Sequence, residues 1–341
     1  MKYFLAIETS CDETAAAVVT SGPRLLSNVI RSQDALHAPY GGVVPEIAAR
    51  AHLQTLVPVI ERALENAGTR WEQVDGVAVT RGPGLVGCLL VGVNLGQAIA
   101  WARKLPVIGV SHLAAHVFAG LLEEPDLRPP VLGLVVSGGH SDLIRWQEDG
   151  SIAVIGRTID DAAGEAFDKG ARILGLPFPG GPAIDALAAT GDPRAIRFPR
   201  PRAPGLDFSF SGVKTALLYE VRKRTSISDQ ARADLAASYQ EAIVDALLQR
   251  VEGALFPSPA RGGGPGWGPA PTIVLGGGVA RNRRLREAAR TRLGKAAHLV
   301  IPAPELCTDN AAMIGAAALI EWDRRGPDPA PFDADPSLGF T

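Results

Sequence analysis

The chain has 341 residues, 46% hydrophobic and 21% charged, with 34 basic against 36 acidic side chains and a formal net charge of −2. That length exceeds the roughly 250–300 residues at which one core stops growing, so two domains are expected. The near-neutral balance neither implies nor excludes nucleic acid, which only a local patch could bind, and three widely spaced cysteines do not form a disulfide framework.

The start, MKYFLAIETS, reads as a strand without a basic n-region or a long apolar h-region. No export signal is read there, and a reduced cytoplasmic protein is expected. Over the first forty residues short strands alternate with turns: KYFLAIETS, AAAVVTS and RLLSNVIRS. A helical period follows from Pro45, carried by Ile47, Ala51, Leu56, Ile60, Ala63 and Leu64, with Pro58 a potential kink. The strand VDGVAVT leads through RGPG into a long apolar helix ending near Leu105, whose Gly, Asn and Gln residues fit a buried helix better than a membrane span. The strand PVIGVS then delivers the chain to SHLAAH, and EEPDLRPP (123–130) has a linker composition.

The opening pattern repeats after the linker. VLGLVVS, SDLIRWQ and SIAVIGRT form a second three-strand meander, followed by the helix DAAGEAFDKGARIL. Later TIVLGGG runs into the helix VARNRRLREAARTRL, and AHLVIPA precedes a last helix, TDNAAMIGAAALIEW. Two halves that begin alike and continue in α/β units imply a duplicated fold, with the turns ETSCDET and SGGHS expected to face each other across a cleft. The expected lobes are 1–110 plus about 297–325, and 111–296. PSPARGGGPGWGPAP (257–271) reads as a flexible surface insertion, and 326–341 as a flexible tail.

Several strings bear on chemistry. His112 and His116, at i and i+4, share a helical face and either pack into a core or converge on one ion. No Glu adjoins them, so the metalloprotease arrangement HExxH is absent. Asp309, at a helix start, is a third ligand or a simple cap. Such a set leaves positions open for substrate on Fe(II) or Zn(II). VVSGG, Val135 to Gly139, is a plain hairpin turn or a cradle of backbone N–H groups for an anion. GGGVARN, which is neither GxGxxG nor Walker A, could present a helix N-terminus to a nucleotide. Glu8, Asp12 and Glu13 crowd one turn, where carboxylates repel unless solvated or bound to something. Cys11 sits in this acidic setting and is rejected as a nucleophile. In 197–224, Arg197, Arg200, Arg202, Lys214 and Arg222 to Arg224 interleave with Phe198, Phe208, Phe210 and Tyr219, a pattern that suits phosphates and stacked bases or a solvated helix over core aromatics.

Together IETSCDET, GGVVPEIAARAH, TRGPGLVGCLLVG, SHLAAH, LVVSGGHSDL, GEAFDKGARILGLPFPGGPAID, FSFSGVKTA, GGGVARNRRLR and CTDNAAMI resemble, in order and spacing, the TsaD (formerly Gcp) family of tRNA N6-adenosine threonylcarbamoyltransferases. The resemblance runs from about Lys2 to Arg325 and implies the α/β, two-lobed, duplicated actin/Hsp70/sugar-kinase (ASKHA) fold. It implies transfer of threonylcarbamoyl from threonylcarbamoyl-AMP to N6 of adenosine 37, in tRNAs reading codons that begin with A, with release of AMP. On this chain the family's metal ligands fall on His112, His116 and Asp309, for one divalent ion, Fe(II) first and Zn(II) second. Its adenylate-binding residues fall on Val135, Val136, Ser137, Gly138, Gly139, Asp168, Gly181, Asp185 and Asn282. Asp12 is the candidate for taking the amino proton or orienting the nucleophile. Expected partners are an ANN-decoding tRNA, a TsaB-like paralogue and a TsaE-like ATPase, without a membrane. The rival readings are an ATP-dependent small-molecule kinase of the same fold and a metalloprotease.

Overall fold

A near-continuous apolar run makes β1 (Tyr3–Glu8) a strand buried on both faces, its successive side chains pointing to opposite sides. In a computed structural model describing residues 1–200, 203–256, 267 and 271–340, Leu5 and Ile7 pack with Leu56, Ile60, Val79 and Val93, whereas Phe4 meets Trp322 edge-on. Each face of the first sheet therefore carries its own helices. Its strands run in the order β3 (Arg24–Ser32), β2 (Glu13–Thr20), β1, β4 (Gly76–Gly82), β5 (Val107–Ser111). The first three are antiparallel and β1, β4 and β5 parallel.

A short α1 (Asp34–His37) precedes α2 (Pro45–Ala67), which continues through Pro58, and α3 (Val86–Arg103) packs beside it on one face. α3 is apolar and long enough to cross a membrane by length and composition, yet it lies against the sheet with Cys88, Leu89, Val93 and Ala100 buried. Its other side leaves Val86, Leu90 and Trp101 exposed. The strand β5 runs directly into α4 (His112–Phe118).

The second unit repeats the plan. Its sheet order is β8 (Ile152–Arg157), β7 (Ser141–Trp146), β6 (Val131–Val136), β9 (Thr272–Gly276), β10 (His298–Val300), with β6 and β7 antiparallel and β6, β9 and β10 parallel. Around it lie α5 (Ala163–Ile173), α6 (Gly180–Ala188), α7 (Ser211–Arg222), α8 (Asp229–Leu255) and α9 (Arg283–Leu293). A short α10 (Pro304–Cys307) leads into the longer α11 (Ala311–Arg325), which packs on the first sheet. The identical strand order in both units is the duplicated α/β architecture expected from the two meanders.

The boundaries differ from those expected. The first unit comprises Met1–Arg128, Gly150–Ile152 and the chain from Pro302 onward, and the second comprises Pro129–Asp149 and Ala153–Ile301. Residues 111–128 stay with the first unit because Ser111 both ends β5 and caps α4, its side chain accepting from Ala114 N, while α4 packs on α11. The chain changes units in the proline-rich stretch instead. β10 belongs to the second unit, where it pairs with β9. The 326–340 tail is irregular but not loose: Gln97 bonds both the N–H and the carbonyl of Phe332, Ser111 donates to Gly339 O at 2.6 Å, and Phe340 is buried. The 257–271 insertion lies outside the described residues except for Trp267, whose indole donates to Ala254 O, and Pro271.

Candidate metal centre

Two elements of the first unit bring the candidate metal-ligating side chains together. α4 presents His112 and His116 from one face, with ring centroids 4.8 Å apart. α11 lies close on the sheet because Gly315 has no side chain: a Cβ there would stand 2.5 Å from Val19 Cγ2. Asn310 caps α11 by accepting from Met313 N, which sets Asp309 immediately outside the helix. Asp309 Oδ1 is 3.5 Å from Nε2 of both histidines, and one ligand atom from each residue lies within 4.8 Å of the others. The cap predicted at this position is therefore Asn310, and Asp309 faces the histidines.

The donor set fits a divalent ion. His116 is fully buried; its Nε2 faces Asp309 Oδ1 at a long 3.5 Å, and its Nδ1 makes no hydrogen bond among the described residues. A buried imidazole left this way is costly unless something else occupies a lone pair. Two ligands at about 2.1 Å from one tetrahedral ion stand about 3.4 Å apart, close to the 3.5 Å from Asp309 Oδ1 to each histidine Nε2.

His112 is held from behind. Glu8, fully buried at the end of β1, places Oε2 3.0 Å from His112 Nδ1, and Ser10 Oγ is 3.2 Å from the same nitrogen. Thr80 donates to Glu8 Oε2 at 2.6 Å, and Ser10 N donates to Oε1. A carboxylate only accepts, so Nδ1 of a neutral His112 donates and Nε2 keeps its lone pair on the Asp309 side. Burial opposes ionisation of Glu8, but His112 and Thr80 outweigh it and hold the carboxyl below its ordinary range. Burial likewise opposes protonation of His112, yet Asp309 and Glu8 push it up to about 9. In His116 burial wins, and its value falls.

Asp12 and Glu13 lie on the adjoining turn. Burial, and then the Asp309 charge, raise Asp12; burial, Asp12 and Asp309 raise Glu13 to about 8. Cys11 is raised far above the ordinary thiol range by burial and Asp12, which agrees with its rejection as a nucleophile. The turn is anchored by His52, whose Nε2 is 2.9 Å from Cys11 O and whose Nδ1 is 2.7 Å from Thr14 Oγ1. Neither His52 nor Thr80 stood out in the sequence, because their partners lie 38 to 72 residues away.

The second unit gathers the remaining predicted residues along its own rim. Val135 and Val136 are buried in β6, and Ser137 O accepts from Gly164 N at the start of α5. Gly138 and Gly139 have nothing within 4 Å of an added Cβ, so the turn is open where a ligand could approach the backbone. Asp168 Oδ1 accepts from Gly180 N at 2.7 Å. Burial raises the Asp168 carboxyl, against the pull of the Gly180 and Gly181 amides. Asp185 accepts from Arg283, a residue the sequence reading missed, and neighbouring Asn282 caps α9 while donating to Gln240. Asp185 and Asn282 thus already have protein partners.

Of the two readings open for 197–224, the aromatics follow the core one. Phe198, Phe208 and Phe210 are buried and cannot stack bases, leaving Tyr219 exposed. Lys214 pairs with Asp161, and Lys223 and Arg224 with Glu220. Arg202 lies outside the described residues.

A family profile described as "TsaD: tRNA N6-adenosine threonylcarbamoyltransferase" matches residues 24–316. A protein of Symbiobacterium thermophilum with that enzyme name is 50% identical over 338 residues, covering 98% of this chain and 96% of its own. One of Anaeromyxobacter dehalogenans with the same name is 52% identical over 344 residues, covering 99% of each. Among solved structures, full-length HypF superposes with a TM-score of 0.60 at 13% identity, over 95% of this chain and 47% of HypF. The Acidaminococcus fermentans (R)-2-hydroxyglutaryl-CoA dehydratase component A gives 0.53 at 17%, over 93% and 96%. At those identities the structural likeness bears on fold alone.

Proposed function

The chain belongs to the TsaD family of tRNA N6-adenosine threonylcarbamoyltransferases, and from that premise we propose how its own residues divide the work. The enzyme is an acyltransferase that modifies tRNA: N6 of adenosine 37, in tRNAs reading codons that begin with A, attacks the carbamoyl carbon of threonylcarbamoyl-AMP. The new N–C bond forms, the C–O bond to the phosphate breaks, AMP leaves with that electron pair, and one amino proton is lost. The acyl group is already activated as a mixed anhydride, so the protein must mainly orient the reactants and stabilise developing charge.

His112, His116 and Asp309 hold the divalent ion, Fe(II) first and Zn(II) second, which when bound supplies a Lewis acid for the acyl group. The convergence of one ligand atom each from His112, His116 and Asp309, all within 4.8 Å of one another, is the single observation that supports this assignment. Glu8 fixes the ring of His112. Asp12, raised above an ordinary aspartate, is suited to take the amino proton. The open Gly138–Gly139 turn supports an adenylate role for Val135 to Gly139, and Asp168, Gly181, Asp185 and Asn282 complete that set. Neither rival reading gains support: Glu8 is engaged by Thr80, Ser10 and His112 rather than free to activate water for proteolysis, and the relatives carry the transferase name.

For a TsaB-like paralogue the outward sides of α2 and α3 offer Leu53, Val57, Val86 and Leu90, all exposed. A TsaE-like ATPase completes the expected partner set. Cys11, Cys88 and Cys307 form no disulfide among the described residues, which accords with a reducing cytoplasm. The test is to incubate Fe(II)- or Zn(II)-loaded protein with threonylcarbamoyl-AMP, an ANN-decoding tRNA and these partners, then digest the tRNA and weigh its nucleosides. Threonylcarbamoyladenosine is expected with wild type and lost with His112→Ala. Its absence under every metal overturns the assignment.

A further inference from the structure

A groove of about 1290 Å³ in the second unit is lined by Arg194, Arg197, Arg200, Arg250 and Arg284, against a single acidic side chain, Glu241. It includes none of the residues assigned to the metal or the adenylate. Its inner arginines are fixed in place: Arg200 donates from Nε and Nη2 to Asp245 Oδ2, Arg284 is bidentate on Glu241, and Arg250 donates to the carbonyls of Asp207 and Ala203. Arg194 and Arg197 are different. Both are exposed, and among the described residues no hydrogen bond or ion pair engages either guanidinium.

Two uncommitted guanidiniums beside three immobilised ones make a focused positive field, and a concave wall strengthens it. The chemistry that answers this is phosphate, which a guanidinium grips through paired N–H donors. Asp245 and Glu241 already balance Arg200 and Arg284, so the net positive charge rests on Arg194, Arg197 and Arg250, and it is spread along a volume that exceeds the roughly 300–1,000 Å³ of ordinary small-molecule sites. Phe198 is buried under the groove, so base stacking has no platform there. We infer that this groove grips the sugar–phosphate backbone of the tRNA substrate, with Arg194 and Arg197 making direct phosphate contacts. The inference rests on the tRNA-modifying activity and adds to it a docking surface that positions without reading sequence.

The test uses the full chain with its partners and fluorescein-labelled tRNA, followed by anisotropy from about 50 to 200 mM KCl. The variants are Arg194→Gln/Arg197→Gln and the charge reversal Arg194→Glu/Arg197→Glu. Each phosphate contact contributes about 0.7–0.9 to the slope of log K against log salt, so losing two should flatten it by about 1.4–1.8. The glutamate pair should bind more weakly than the glutamine pair, by the same factor for tRNAs of different anticodon. KM for tRNA should rise while kcat and KM for threonylcarbamoyl-AMP hold. A wild-type protein that is active while both variants keep its tRNA affinity and salt slope overturns the groove alone. So does weakened binding with an unaltered slope. A wild type that neither binds nor modifies tRNA overturns the activity first, and the groove with it.

Discussion

Glu8 Oε2 stands 3.0 Å from Nδ1 of His112, and Glu8 is wholly buried at the end of a central strand. A carboxylate, an imidazole and a metal position in line fix the ring and its tautomer and raise the basicity of the ligating nitrogen. His116 has no such support, its Nδ1 being without a hydrogen bond. The two histidines are therefore unequal, and the orientation of the site is set through His112.

Removing that support should weaken the site before it abolishes it. Glu8→Ala should lower metal affinity by about 10–100-fold, the usual effect of losing such a partner. Glu8→Gln, which can still accept from Nδ1, should lose less. Competition with a chromophoric chelator reads the affinity directly. Equal affinity in wild type and Glu8→Ala would reduce the contact to packing.

A metal ion held by His112 would compete with the proton for its imidazole. The folded-state value of His112, raised to about 9 from 6.5, means that its proton contributes stability in full below about pH 6.5 and loses it progressively up to pH 9. Glu13, raised to about 8 from 4.5, acts in the same direction over a lower window, its contribution being lost from about pH 4.5 up to pH 8, since its protonated form is the one favoured by the fold. Metal-free protein should thus lose stability as pH rises from 6.5 to 9. Metal uptake should release a proton and tighten over the same range. At a hundredfold excess over Kd, the ion should add about 2.7 kcal/mol to stability. Thermal melts with and without Zn(II) across this range check both trends, and Asp309→Asn should remove the metal-dependent gain.

The second unit has its own strict requirement. Gly277 has φ +88°, and a Cβ there would lie 2.2 Å from the carbonyl oxygen of Val136. Gly277→Ala should therefore cost about 1–3 kcal/mol from strain and overpacking. It should also displace the β6 end that leads into Ser137 and Gly138. Denaturant melts monitored in this unit would show the loss, while the affinity of the metal centre should not change.

Much of this was legible because strand patterning is local. Tyr3–Glu8 and Arg24–Ser32 follow from short apolar runs and turn residues, and their repetition in β6 to β8 exposes the duplication. The spacing of His112 and His116 is equally local. What escaped notice depended on distance in sequence. Glu8 meets Thr80 and His112 across 72 and 104 residues. The tail seemed free because Phe332 packs against Gly109 and Arg81, far earlier in the chain. The phenylalanines among the arginines of 197–224 form one string whether they stack bases or fill a core, and only burial separates the two.

Asp12 has the least support from geometry and the most direct test. Burial and the nearby Asp309 charge both oppose its ionisation, which moves a carboxyl towards the working range of a base near neutrality. A base in this role contributes about 10²–10⁴ to the rate. Asp12→Asn keeps shape and volume, so kcat should fall within that range while metal content and threonylcarbamoyl-AMP affinity stay at wild-type levels. The pH–rate profile of the wild type should lose its acid limb in the variant, because the group that must be deprotonated has gone. If the substitution lowers metal content instead, Asp12 acts by shaping the site. If turnover is unchanged, the amino proton leaves by another route and Asp12 has no part in the transfer.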